Sequence, residues 1–208
     1  MQIKNFPLGA LGTNCYILYK NKKAIIIDPG AEGDKVINWL TEEGVEPLAI
    51  LLTHAHFDHI GAVEQLRNHY NIKVYMHALE KEWLKEPTLN GSSRFFGGEI
   101  KTASPDILLQ PGKYQLDIFE MEIFHTPGHS PGSISFYFEK EGIIISGDVL
   151  FHRSIGRTDL PGGDFSVLEE SIQRTIYPLA DQTIVYPGHG PQTTIGEEKR
   201  LNPFVNAI

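Results

Sequence analysis

Four side chains able to bind a metal lie within the six residues 54–59: His54, His56, Asp58 and His59, in the stretch Thr53-His54-Ala55-His56-Phe57-Asp58-His59. The apolar run Leu48-Ala49-Ile50-Leu51-Leu52 leads directly into them, so a buried strand is expected to end in a ligand cluster. Imidazoles packed this closely repel one another when charged and need partners when neutral, and a bound metal removes that difficulty. Side chains two apart on a chain leaving a strand tip point to one side. His54 and His56 can therefore share one ion while Asp58 and His59 turn toward another.

Three later stretches share the same grammar, an apolar strand running into a glycine turn that carries a His or an Asp. They are Ile123-Phe124-His125-Thr126-Pro127-Gly128-His129, Ile143-Ile144-Ile145-Ser146-Gly147-Asp148 and Ile184-Val185-Tyr186-Pro187-Gly188-His189-Gly190. Glycine beside a ligand lets the backbone turn sharply without a Cβ clash, and a strand end holds the ligand rigidly. The candidate ligands are then His54, His56, Asp58, His59, His129, Asp148 and His189, too many for one tetrahedral ion and suited to two. A workable partition gives His54, His56 and His129 to the first, Asp58, His59 and His189 to the second, and makes Asp148 a bridge between them. Imidazole and carboxylate without thiolate suit two divalent ions, Zn foremost, with Fe or Mn also compatible.

The rest of the chain reads as two similar programmes. Strands at 2–6, 13–19 and 23–28 precede a helix from Asp34 to Glu43, the strand 48–52, a helix from His59 to Tyr70, the strand 73–77 and a short helix from Ala78 to Lys85. Residues 86–106, rich in Pro, Gly, Ser and Asn, read as a long connection. Strands near 113–117, 120–125, 133–138 and 143–147 follow, then a helix from Phe165 to Tyr177 and a strand at 183–186. The expectation is one domain over 1–208 with two pseudo-symmetric halves, about 1–90 and 107–208, each a sheet with helices outside: an α/β sandwich.

Composition narrows the function. The formal net charge is −8 and there is no Lys/Arg stripe to track phosphates, so nucleic acid is not the expected partner. No apolar run approaches the roughly 20 residues that cross a bilayer, and the first residues lack an export signal, so neither a membrane partner nor secretion is expected and the cytoplasm is the default compartment. The single cysteine, Cys15, excludes an internal disulfide framework and reads as a packed thiol. A monomer or homodimer is expected.

These motifs, in this order, resemble those of the metallo-β-lactamase fold superfamily and span Asp28 to His189. The resemblance implies a four-layer αβ/βα sandwich with mixed sheets and helices on the outer faces. It makes Asp28 the family's first-motif aspartate, which holds a ligand histidine from behind. Gly147-Asp148-Val149-Leu150-Phe151, Ser154-Ile155-Gly156-Arg157-Thr158-Asp159 and the tail from Thr194 to Phe204 are closest to the glyoxalase II-like group of small hydrolases. That implies hydrolysis of a small-molecule thioester, a 2-hydroxyacyl thiol, by metal-activated water, with Asp58 orienting the nucleophile or passing a proton. Glyoxalase II proper carries a further C-terminal helical domain that binds glutathione, whereas this sequence stops at Ile208, so the thiol carrier stays open.

Two other readings compete. Persulfide dioxygenases of the superfamily share H-x-H-x-D-H and Gly-Arg-Thr-Asp but use a single iron, and a non-catalytic metal-binding protein could keep the fold. Arg157 and Asp159 are expected to brace the loop after Asp148, while His69, His77, His125 and His152 lack a ligand-like setting. Phe95, Phe96 and Phe151 read as pocket wall or core.

Overall fold

The computed structural model describes residues 1–207, which form two compact units, Met1–Leu109 and the chain from Gln110 onward.

The first unit is built on a six-stranded mixed sheet. Strands β1 (Gln2–Leu8), β2 (Thr13–Lys20) and β3 (Lys23–Ile27) form an antiparallel meander, after which helix α1 (Gly33–Glu43) crosses to β4 (Glu46–Leu51). Helices α2 (Phe57–Ile60) and α3 (Val63–Tyr70) lead to β5 (Lys73–His77), short helices α4 (Pro87–Asn90) and α5 (Ser92–Phe95) follow, and β6 (Ile107–Leu109) closes the sheet. Because β3, β4, β5 and β6 run parallel, their carboxyl ends share one edge. Val36 and Leu40 of α1 and Val63 and Leu66 of α3 bury against Ile17, Ile26, Ile50 and Val74 of one sheet face. Tyr16, Leu18, Ile25 and Ile27 on the other face are buried as well, which is why these strands read as continuous apolar runs.

Two local departures have visible causes. The helix expected from His59 to Tyr70 is broken at Gly61-Ala62, where the Ala62 N–H donates to the Pro29 carbonyl at 2.9 Å instead of continuing a helical ladder. Within 86–106, buried Asn90 ties the chain together: its amide donates to the carbonyls of Trp83 (3.0 Å) and Ile100 (2.9 Å), and its oxygen accepts from the Ser92 N–H at 3.0 Å. The stretch is therefore short helices and braced turns rather than an open connection.

The second unit repeats the plan. Strands β7 (Gly112–Leu116), β8 (Phe119–His125), β9 (Ile134–Phe138) and β10 (Ile143–Gly147) form an antiparallel meander. A small hairpin, β11 (Leu150–Phe151) with β12 (Ser154–Ile155), precedes helix α6 (Phe165–Ser171). Residues Ile172–Ile176 widen into a π turn in which the Tyr177 N–H reaches the Ile172 carbonyl at 2.8 Å. Strand β13 (Ile184–Pro187) runs parallel to β10, and β14 (Thr193–Thr194) and helix α7 (Ile195–Leu201) complete the unit. Two antiparallel steps make β8 parallel to β10, so β8, β10 and β13 all end at the same sheet edge. Leu168, Ile172, Ile176 and Ile195 pack on Ile144 and Val185.

Among the described residues, no helix is long and apolar enough to cross a membrane.

Candidate metal centre

In the first unit the predicted ligands follow the carboxyl end of β4, and a buried carboxylate from the neighbouring strand organises them. Asp28 stands just past β3 with φ 52°, a left-handed conformation that Asp tolerates better than most residues. One of its carboxylate oxygens accepts from the Thr53 N–H at 2.8 Å. The other accepts from the Thr53 hydroxyl at 2.6 Å and lies 3.0 Å from Nδ1 of His59. A carboxylate only accepts, so Nδ1 of His59 carries the hydrogen and the lone pair is on Nε2. The Thr53 hydroxyl, having given its hydrogen to Asp28, accepts from Nδ1 of His54 at 3.1 Å, which again leaves the lone pair on Nε2. One aspartate thus sets the tautomers of two histidines.

The four residues do converge. Potential ligand atoms of His54 lie within 4.8 Å of those of His56 and of His59, and those of Asp58 within the same distance of His59. His54, His56 and His59 are buried. Oδ2 of Asp58 accepts from the Thr13 hydroxyl at 2.7 Å and lies 3.6 Å from Nε2 of His59. The loop passes so close to the turn after β3 that a Cβ on Gly30 would collide with the Asp58 carbonyl, which explains the glycine there.

The second unit supplies a matching set from three strand ends. His129 follows β8, Asp148 follows β10 and His189 follows β13. Nδ1 of His129 donates to the Arg157 carbonyl at 2.8 Å, so its Nε2 also carries the lone pair. Oδ2 of Asp148 lies 3.6 Å from Nε2 of His129 and 3.5 Å from Nε2 of His189. Arg157, whose carbonyl orients His129, pairs with Asp159 two residues on in a two-point ion pair at 2.7 and 2.8 Å. A Cβ on Gly156 would strike the Asp148 carbonyl, as one on Gly30 would strike that of Asp58.

These spacings fit a metal. For His59 and His129, a lone-pair nitrogen faces a carboxylate oxygen at 3.6 Å, two acceptors with no hydrogen between them to share. Two ligand atoms each about 2.0 to 2.2 Å from a common ion stand about 3.3 to 3.6 Å apart at tetrahedral angles. The His59–Asp58, His129–Asp148 and His189–Asp148 pairs all have that spacing. The donor set is hard to borderline, imidazole and carboxylate without sulfur, which suits a divalent transition metal.

Residues set aside on sequence grounds behave accordingly. Cys15 is fully buried, and burial together with the nearby Asp28 charge pushes its thiol far above the ordinary range. Nε2 of His125 lies 2.9 Å from the Pro131 carbonyl. Phe95 and Phe96 are exposed rather than core and gather over Phe57, with ring centroids 6.5 and 6.0 Å away, while Phe151 stands edge-on to His189 at 6.0 Å. Sequence reasoning missed buried Glu80, which accepts the Ala55 N–H at 2.7 Å, because Ala78-Leu79-Glu80-Lys81-Glu82 has the polarity of a solvated turn.

Comparison with known proteins agrees over the whole chain. The family model described as "Metallo-beta-lactamase superfamily" matches residues 8–189. The chain is 44% identical to "Probable metallo-hydrolase YqgX" of Bacillus subtilis (strain 168), covering 100% of this chain and 99% of that protein. It is 40% identical to "Hydroxyacylglutathione hydrolase GloC" of Haemophilus influenzae, again over 100% and 99%. Among solved structures, BLEG-1 B3 metallo-beta-lactamase superposes with a TM-score of 0.96 at 54% identity, over 98% of this chain and 99% of that one. TTHA1623 in a di-iron-bound form follows at 0.84 and 39%, over 99% and 100%.

Proposed function

The chain belongs to the metallo-β-lactamase superfamily, has its α/β fold, and is thereby one of a family of metal-dependent hydrolases; from that premise we propose that it is a two-ion thioesterase acting on a small 2-hydroxyacyl thioester. On this reading His54, His56 and His129 would hold one ion and Asp58, His59 and His189 the other, with Asp148 available to both. The observation that carries this reading is Asp148, whose Oδ2 lies 3.6 Å from Nε2 of His129 and 3.5 Å from Nε2 of His189, the histidines assigned to different ions, which supports a shared carboxylate. The likeness to GloC over the full length supports the substrate class.

Bound divalent ions would supply an acidified water, close to neutral in its pKa, and a Lewis acid for the carbonyl oxygen. The protein's own part is to hold and move protons and to fix geometry. Asp58, one oxygen pinned by Thr13, orients the attacking water and takes up its proton. Asp28 and the Arg157 carbonyl keep the three tautomers that present Nε2. A thiol leaving group, of pKa about 8.5, departs as thiolate without needing a strong acid. No cysteine nucleophile takes part, since Cys15 is buried and its thiolate disfavoured.

A second reading is favoured by the 54% identity to a B3 metallo-β-lactamase: opening of a β-lactam amide by the same residues. Metal analysis of protein purified without added metal, combined with assays on lactoyl thioesters of several thiols and on a chromogenic cephalosporin, tests both. Two ions per chain and faster thioester cleavage are expected. Faster cephalosporin opening would replace the substrate, and one iron per chain with oxygen consumption would replace the chemistry with that of a dioxygenase. TTHA1623 is a di-iron-bound relative, so iron and manganese are measured alongside zinc.

A further inference from the structure

The ligand stretch 53–59 hangs from the end of β4, the strand between β3 and β5. On the β3 side its backbone is fastened by Asp28, through the Thr53 N–H. On the β5 side a second carboxylate does the same two residues later: Glu80, three residues beyond β5, accepts the Ala55 N–H at 2.7 Å and is 0% exposed. Ala55 lies between the two histidines of the H-x-H pair, so the orientation of its peptide sets how His54 and His56 diverge.

The same turn reaches one ligand directly. The Trp83 N–H donates to the Glu80 carbonyl at 2.9 Å, and the Trp83 ring packs against the His56 imidazole with centroids 5.7 Å apart. Trp83 is in turn held by Asn90, which donates to its carbonyl at 3.0 Å. Glu80 therefore anchors the peptide between the histidines, and the turn it starts supports the ring of the second.

We propose that Glu80 is a positioning residue for the metal centre, the counterpart on the β5 side of Asp28 on the β3 side, acting through its hydrogen bond to Ala55 rather than by touching metal or substrate. A fully buried carboxylate is costly to keep unless its hydrogen bonds repay the desolvation, and a charge-assisted bond to a backbone N–H is among the stronger ones available. The benefit is rigidity in a site whose ligands tolerate displacements of only about 0.5 Å.

This rests on the two-ion reading, and the experiment separates the two. Metal-loaded wild type, E80Q and E80M are titrated with a chelator, and bound metal is counted by elemental analysis. Gln keeps an acceptor oxygen for Ala55, whereas Met fills the volume and offers none. Wild type is expected to release its metal last, E80Q within about threefold of it, and E80M at 10 to 100-fold weaker affinity, the range typical of groups that hold ligands in place. Equal affinity of E80M and wild type overturns the proposal, and so does E80Q falling as far as E80M, since charge rather than the hydrogen bond would then be responsible. Wild type that binds no metal would instead overturn the two-ion reading. Amide exchange at Ala55 in the metal-loaded wild type decides the matter should E80M not fold: slow exchange is expected, and exchange as fast as that of an exposed turn overturns the anchor.

Discussion

Nδ1 of His59 lies 3.0 Å from Oδ2 of Asp28, and both side chains are buried. The contact connects a residue just past β3 to the tautomer of a histidine 31 positions later, and through Thr53 it reaches His54 as well. The orientation of both histidines in the first unit thus depends on one buried carboxylate.

Asp28→Asn isolates that carboxylate. Asn also tolerates the left-handed backbone, so the chain should fold, but its amide offers one acceptor where Asp28 offers two. Either Thr53 or His59 then faces an N–H donor, and the Nε2 lone pair is no longer guaranteed. Metal affinity should fall 10 to 100-fold with little change in circular dichroism. Unchanged chelator competition would show that the tautomer is set elsewhere.

On the proposed two-ion reading, Asp148→Ala should act on both ions at once. Its Oδ2 faces His129 on one side and His189 on the other, so its loss opens both coordination sets instead of one. Elemental analysis should give well under two ions per chain, and kcat/KM should drop by about 1000-fold or more, matching several kcal/mol of lost transition-state stabilisation. Retained activity with full metal content would remove Asp148 from the centre.

Much of this was legible beforehand for a physical reason. A ligand candidate at a strand end is preceded by an apolar run and accompanied by glycine, and these signals survive in one dimension at His129, Asp148 and His189, while the density of His54, His56, Asp58 and His59 after an apolar run marks the first stretch. Asp28 was legible only through family resemblance, since an Asp-Pro-Gly turn looks the same with or without a histidine behind it. Glu80 was not legible, because its burial follows from a tertiary neighbour and not from its surroundings in the chain. The break between α2 and α3 was hidden likewise: an amide diverted to Pro29 leaves no mark on the apolar periodicity of Ile60, Val63 and Leu66. Helix α7, by contrast, carries its start signal in sequence: Thr194-Ile195-Gly196-Glu197 is a capping-box pattern, and the Thr194 hydroxyl accepts from the Glu197 N–H.

Gly30→Ala and Gly156→Ala should each destabilise the fold by about 1 to 3 kcal/mol, the ordinary cost of forcing atoms into a packed site. The added methyl meets the carbonyl of Asp58 in one case and that of Asp148 in the other, and a backbone carbonyl cannot swing aside as a side chain does. Thermal unfolding gives the destabilisation, and metal counting shows whether the carboxylate moved. Wild-type melting of both variants would mean that the loops relax at no cost.

Tyr177 gives the second unit a dependence on alkaline pH. Its hydroxyl donates to the carbonyls of Glu198 and Val205, and burial, with the Glu198 charge adding to it, pushes its pKa up to about 12. An unfolded tyrosine ionises near 10, so the native state holds its proton more tightly than the unfolded state does. The stabilisation is complete below about pH 10 and is lost as the pH rises from there toward 12, because the unfolded chain releases the proton first. Urea unfolding at pH 8, 10 and 11 should show wild-type stability falling over that interval. Tyr177→Phe should start about 1 kcal/mol lower at pH 8, having lost its hydrogen bonds, and fall less steeply. Parallel slopes for the two proteins would place the alkaline sensitivity in another group.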